Sequence, residues 1–186
     1  MKIIWSLLLA AVLLSGCQVD NKELQEGLRL RDNLLSAEST EFTAEITADY
    51  GSEIRRFVMD CHTDAQGNIQ FCVTDPETIA GITGKLSSNG GELTFDDKAL
   101  YFDYITDDQL SPVSAPWIFL NTLRGGYLKS AGRDGEYLHL LLDDSYEEDS
   151  LLVEVWVDAS GVPARADIFQ EGRRILAVTV TDFVIR

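Results

Sequence analysis

The chain has 186 residues, with 31 Asp or Glu against 15 Lys or Arg and a formal net charge of −16. That balance excludes nucleic acid as a partner, because phosphate binding needs a basic footprint, and it excludes docking on anionic lipid by charge. The length suits one ordinary domain with enough chain to bury a core.

Met1-Lys2 is a short basic start, and Ile3 to Leu14 is an apolar run interrupted only by Ser6. The run is too short to span a bilayer comfortably, and no stop-transfer pattern follows it. Leu14-Ser15-Gly16-Cys17 resembles a bacterial lipobox, in which a diacylglycerol is joined to the cysteine sulfur and the chain is cut just before it. The expectation is a lipoprotein signal peptide over residues 1–16, a lipidated tether over 17–21 and a single domain over 22–186. Cys17 would hold that domain on the extracytoplasmic face of the cell membrane. A plain signal peptide or a stub anchor is the other reading. Cleavage removes Lys2 and leaves about −17, so acyl chains must do the holding. Each buried CH₂ contributes about 0.8 kcal/mol, and two chains anchor stably where one does not.

Lys22 to about Leu35 reads as a helix, with Leu24, Leu28 and Leu35 close to one face. Asp20 or Asn21 could cap it, and Glu23 and Glu26 suit its first turns. Gly27 weakens it, which argues for a helix docked on a sheet. From Phe42 the period becomes two. Phe42, Ala44, Ile46, Ala48 and Tyr50 alternate with Thr43, Glu45, Thr47 and Asp49, as in a half-buried antiparallel strand. Gly51-Ser52 turns the chain into a strand over about Ile54 to Cys61, and a turn at 64–68 leads to Ile69–Thr74. Pro76 could open a short helical turn through Ile79, ended by Gly81 or Gly84. Leu93–Phe95 and Leu100–Tyr104 then read as a hairpin joined by Asp96-Asp97-Lys98.

Ser111-Pro112-Val113-Ser114-Ala115-Pro116 is a helix start, and Trp117 to Leu123 is apolar nearly all round. Such a helix must be enclosed by protein or cover something apolar. Arg124-Gly125-Gly126 ends it. Strand Tyr137–Leu142, an acidic loop over 143–149 and a C-terminal meander follow. In the meander Leu151, Val153, Val155 and Val157 share one face, and Pro163–Gln170 and Arg173–Ile185 complete it.

Catalytic chemistry is poorly supplied. His62 and His139 stand in no metal-ligand spacing, and Cys61-His62 with Cys72 is too sparse for zinc. The acidic loop lacks the spaced ligands and central glycine of an EF-hand. No nucleophile elbow or phosphate-cradling loop occurs, and no carboxylate pair stands out. The expectation is a protein without catalytic residues, metal or cofactor, and not an enzyme. Cys61 and Cys72 flank the turn at 64–68 in what would be an oxidation-permissive compartment. Symmetric pairing would set them opposite each other. Side-chain alternation objects, since Phe57, Met59 and Cys61 share one face while Ile69, Phe71 and Val73 leave Cys72 on the other. A bulge would restore parity, so a Cys61–Cys72 disulfide stays open.

The lipobox, the N-terminal helix, strands such as Phe42–Tyr50, the apolar helix after Ser-Pro and the final meander from Glu154 to Ile175 resemble the outer-membrane lipoprotein carrier (LolA-like) superfamily. More narrowly, the chain resembles LolA-like lipoproteins of Clostridia-type Gram-positive bacteria. The resemblance implies a mainly β (α+β) fold: a curved antiparallel sheet forming an incomplete barrel, with the N-terminal helix and a mid-chain lid helix on its concave face. It implies binding of lipid or acyl chains in an apolar cavity, or the same shape turned to a protein surface. The cavity expected from these residues is lined by Phe42, Ile46, Phe57, Met59, Trp117, Phe119, Leu120 and Leu123. The chain departs from the soluble carrier in being itself anchored through Cys17, which fits an acceptor or lipid-handling lipoprotein. The alternative is a lipid-anchored interaction module that positions or activates a cell-envelope partner, such as a sporulation cell-wall hydrolase. Trp156 and Phe169, on the polar faces of the meander, are its candidate contact residues.

Overall fold

The structure is a computed structural model and describes residues 22–186 apart from 96–97, 107–108 and 148–149. The expected signal peptide, the expected lipidation site Cys17, the expected tether and the expected turn at Asp96-Asp97 therefore lie outside the described residues.

Helix α1 (Lys22–Ser36) precedes strands β1 (Ser39–Asp49), β2 (Ile54–Asp64), β3 (Ile69–Asp75), β4 (Thr83–Ser87), β5 (Gly90–Phe95) and β6 (Lys98–Phe102). A small hairpin of β7 (Ile105–Thr106) and β8 (Gln109–Leu110) and a 3₁₀ turn at Pro112–Ser114 lead into helix α2 (Ala115–Gly125). Strands β9 (Tyr127–Asp134), β10 (Tyr137–Asp143), β11 (Leu152–Val157), β12 (Pro163–Gln170) and β13 (Arg173–Ile185) complete the chain.

Eleven strands form one antiparallel sheet in the order β6-β5-β4-β3-β2-β1-β13-β12-β11-β10-β9. It is two meanders joined at the middle, where the first strand pairs the last: Ala44 lies opposite Val180 and Ala48 opposite Leu176. The Arg186 amide donates to the Ser39 carbonyl at 2.9 Å and closes this seam. The sheet curves without closing, an incomplete barrel with both helices on one face. Alternation decides which face. Thr40, Phe42, Ala44, Ile46 and Ala48 of β1 are all buried, as are Leu138, Leu140 and Leu142 of β10 and Val153, Val155 and Val157 of β11. Those inward rows and the helices make one apolar core.

Three local points depart from expectation. The apolar face of α1 is Gly27, Leu30 and Leu34, while Leu28 and Leu35 are exposed. Gly27 explains the rotation, because a Cβ there would stand 2.9 Å from Leu140 Cδ2, so the helix backbone itself sits on β10. The short helical turn expected after Pro76 is present, since the Ile79 and Ala80 amides both donate to the Pro76 carbonyl at 3.0 Å, and Gly81 ends it at a φ of 88°. Gly84 ends nothing. It lies inside β4, where a Cβ would stand 2.3 Å from the Glu92 carbonyl and 2.5 Å from the Phe71 ring. Strands β4 and β9 were not foreseen, since β4 carries Leu86 as its one large apolar residue and β9 has no buried position.

Candidate functional site

The eight expected cavity residues come together. Phe42 and Ile46 on β1 lie beside Cys61 and Phe57 on β2, and Met59 lies opposite Ala44. Phe119, Leu120 and Leu123 of α2 cover them, and all but the half-buried Trp117 are buried. Phe42 meets Phe119 edge-on at 6.1 Å and stacks on Phe183 at 5.4 Å. These residues pack on each other as core.

Open space lies farther along the same face. A transverse row runs through Phe42, Cys61, Phe71, Gly84, Leu93 and Leu100, from β1 to β6. Its first four members are buried, Leu93 is half-buried and Leu100 is 63% exposed. The sheet outruns the helices here, and the row ends in a pocket of about 540 Å³ lined by Tyr50, Leu93, Leu100, Phe102, Leu110 and Pro112 with Ser52, Glu53, Arg55, Asp103 and Ser111. That volume is within the range of about 300–1,000 Å³ usual for small-molecule sites.

Tyr50 lines the pocket, and Tyr104 stands next to its lining residue Asp103 in the chain. The Tyr50 hydroxyl donates to the Leu110 carbonyl at 2.7 Å and ties β1 to the approach to α2. Burial raises its pKa. Tyr104 donates to the carbonyls of Ser87 and Gly90 at 2.5 and 3.0 Å, and its ring lies 4.7 Å from Trp117. Burial pushes the Tyr104 phenol up to about 12, so it stays a donor at any ordinary pH. Arg55 is the cation in the lining, paired with Glu53 at 2.9 Å. An apolar floor with one ion pair at its rim suits an alkyl chain bearing a polar head.

Sequence reasoning missed Leu93, Leu100, Phe102 and Arg55. The available signal was a hairpin apolar at alternate positions on β5 and β6 with no later element to cover it. A larger groove of about 640 Å³ lies on the outward face, lined by polar side chains such as Glu41, Asp60, His62, Gln70 and Lys85.

The Cys61–Cys72 disulfide is not formed. Cys61 lies opposite Phe71, and Cys72 lies opposite Asp60 on the other face. The bulge in this pair falls between Val58 and Met59, past both cysteines, and so leaves their parity unchanged. Both thiols are free, and burial pushes the Cys61 thiol up. His62 stands 3.4 Å from Glu41 and His139 stands 3.5 Å from Glu154. No cluster of three His, Cys, Asp or Glu could hold a metal among the described residues. No described helix is long and apolar enough to cross a membrane.

Trp156 is half-buried and engaged. Its Nε1 donates to Asp134 at 2.8 Å, His139 lies 4.7 Å from its ring and Arg165 lies 4.4 Å from the ring centroid. Phe169 is half-buried as well. In the acidic loop, Asp144 accepts from the Leu151 amide at 2.8 Å while its own amide donates to the Leu151 carbonyl at 3.1 Å. That reciprocal pair closes the loop on itself.

No protein-family model matches the chain, and no curated protein matches it. Among solved structures it is similar to a LolA superfamily protein from Nitrosomonas europaea, at 8% identity over 86% of this chain and 93% of that one, with a TM-score of 0.48. It is similar to a putative outer membrane lipoprotein-sorting protein domain from Vibrio parahaemolyticus, at 9% identity over 89% and 93%, TM-score 0.48. It is also similar to the lipoprotein LppX of Mycobacterium tuberculosis, at 13% identity over 87% and 93%, TM-score 0.41.

Proposed function

We propose that the protein is an extracytoplasmic lipoprotein, tethered to the membrane by diacylglycerol on Cys17, that takes a lipid tail into the open end of its half-barrel. The observation that carries this reading is the transverse row that passes from buried Phe42 to exposed Leu100 and ends in the pocket. An alkyl chain laid there would extend the core's own apolar surface, gaining about 0.8 kcal/mol per buried CH₂. Arg55 at the rim would meet a polar head. The role is one of binding rather than catalysis, and kinship with Clostridia-type LolA-like lipoproteins belongs to the same reading.

Two comparisons test it. Cys17→Ala should move the protein out of the membrane fraction, and retention in a carbonate-washed pellet would refute the anchor. Leu100→Asp should weaken binding of a fluorescent fatty-acid analogue at least about tenfold, near 1.4 kcal/mol. Tyr101→Asp, on the outward face of the same strand, should leave it unchanged. Equal binding by both variants would refute the pocket.

A second reading is a lipid-anchored interaction module for a cell-envelope partner. The packing of Phe42 against Phe119 and Phe183 favours it, because an interior filled at that point leaves the outer surface, rather than a hollow under the helices, to make contacts.

A further inference from the structure

The pocket at the open end of the half-barrel carries charge as well as apolar surface. Alternation along β2 sets Arg55 on the row of buried Phe57 and Met59, the row that faces the core. An arginine stands on that row just past its last buried side chain, where the helical cover has stopped. Glu53, in the β1–β2 turn, lies beside it. The β5–β6 hairpin supplies Leu93, Leu100 and Phe102, and Asp103 follows at the end of β6. The lining thus holds one guanidinium and two carboxylates around an apolar floor. Arg55 pairs with Glu53 at 2.9 Å, with both side chains more than half exposed, and an exposed pair of this kind holds weakly. Asp103 is exposed, and no cation among the described residues pairs with it.

We propose that this pocket selects the head of its lipid as well as the tail, and that the head is zwitterionic: a phosphodiester joined to an ammonium, as in phosphatidylethanolamine. The inference rests on the lipid-tail reading and adds the head to it. A purely anionic head, as in phosphatidylglycerol, reaches Arg55 only by displacing Glu53, and then has two carboxylates facing its phosphate. The chain's net charge of −16 opposes it at longer range as well. An uncharged head leaves the Arg55–Glu53 pair as it is and gains nothing from it. A zwitterion divides along its own dipole. The planar fork of Arg55 takes the phosphate oxygens, and Glu53 or Asp103 takes the ammonium. One weak ion pair is exchanged for two. Lys98, past Leu100 on the same face of β6, lies outside the lining and adds to neither side.

The test is native mass spectrometry of the full chain, released from detergent after incubation with phosphatidylethanolamine, phosphatidylglycerol or diacylglycerol bearing the same acyl chains. Phosphatidylethanolamine should give about fivefold more one-to-one adduct than either of the others, the scale of one partly exposed ion pair. Arg55→Gln should bring it down to the level of diacylglycerol. Glu53→Gln combined with Asp103→Asn should turn the preference to phosphatidylglycerol, because Arg55 then lines the pocket without a carboxylate. All three positions are exposed, so the variants keep the fold, which circular dichroism checks. Equal adducts of the three lipids, a preference for phosphatidylglycerol in the parent, or a preference unaltered in either variant would overturn the head assignment and leave the tail reading standing. No adduct of any lipid would overturn both.

Discussion

Arg31 and Arg124 cap each other's helices. Arg31 on α1 donates from Nε to the Leu123 carbonyl at 2.8 Å and from Nη2 to the Gly126 carbonyl at 2.6 Å, at the end of α2. Arg124 on α2 donates from Nη1 to the Leu34 carbonyl in the last turn of α1 and from Nη2 to Ala65 in the β2–β3 turn, both at 2.7 Å. The last carbonyls of a helix lack intrahelical partners, and a cation there also complements the helix dipole. This exchange fixes both helices over the sheet and to each other, and so sets where the helical cover stops and the pocket begins.

Breaking the clasp should therefore be expensive. Charged hydrogen bonds contribute about 1.5–3 kcal/mol, and Arg31→Met should lower unfolding stability in urea by about 2 kcal/mol. Arg31→Lys should not restore it, because an ammonium cannot span two carbonyls as a planar fork does. A loss below about 0.5 kcal/mol would show the clasp to be ornamental.

Two glycines separate close packing from chain freedom. Gly84→Ala forces a Cβ onto the Glu92 carbonyl and the Phe71 ring, and should cost about 2 kcal/mol or more by overpacking. At Gly132, in edge strand β9, a Cβ would meet nothing within 4 Å. Gly132→Ala should be neutral, or stabilising by about 0.5 kcal/mol through the unfolded chain. Thermal melts of the two variants check the contrast, and equal melting would contradict the β4 packing.

The thiols should differ in reach. In residues 18–186, Cys72 should react with a disulfide reagent in the native state, whereas Cys61, buried with its thiol pKa raised, should react after unfolding. A protein two hydrogens lighter under non-reducing conditions would show the disulfide after all.

Asp144 sets a pH dependence. Burial leads the causes that raise its pKa, against the Leu151 amide bond that lowers it. A carboxyl whose folded pKa lies above its unfolded value favours the folded state below the unfolded value, near 3.8, and that gain is lost as pH rises through the folded value. Asp144→Asn keeps the acceptor without the charge. It should melt at or above the parent temperature at pH 7, with the advantage vanishing below pH 3.8. A variant less stable at pH 7 would contradict the assignment.

Much of the fold was legible because one-sided burial writes itself as alternation. Strand β1 and the meander from β11 to β13 carry it plainly, and proline and serine before Trp117 mark α2. What escaped detection lacked a periodic signal. Strand β9 has no fully buried position to mark a face, and β4 relies on Gly84, a residue that reads as a stop but serves as clearance. The face of α1 was misread because leucines outvoted Gly27. The aromatic residues nearest the lid drew the site toward Trp117 and Phe119, yet those are the side chains the helices need for their own packing. The pocket instead falls where helical cover runs out, a matter of helix placement that no local pattern encodes.

The central claim is that the open end holds a lipid tail. The direct measurement is native mass spectrometry of residues 18–186 after incubation with host lipids, beside the Leu100→Asp variant. The account predicts a stoichiometric lipid-mass adduct on the parent protein that is largely lost from the variant. A clean apo mass for the parent, or an adduct retained undiminished by the variant, would contradict it.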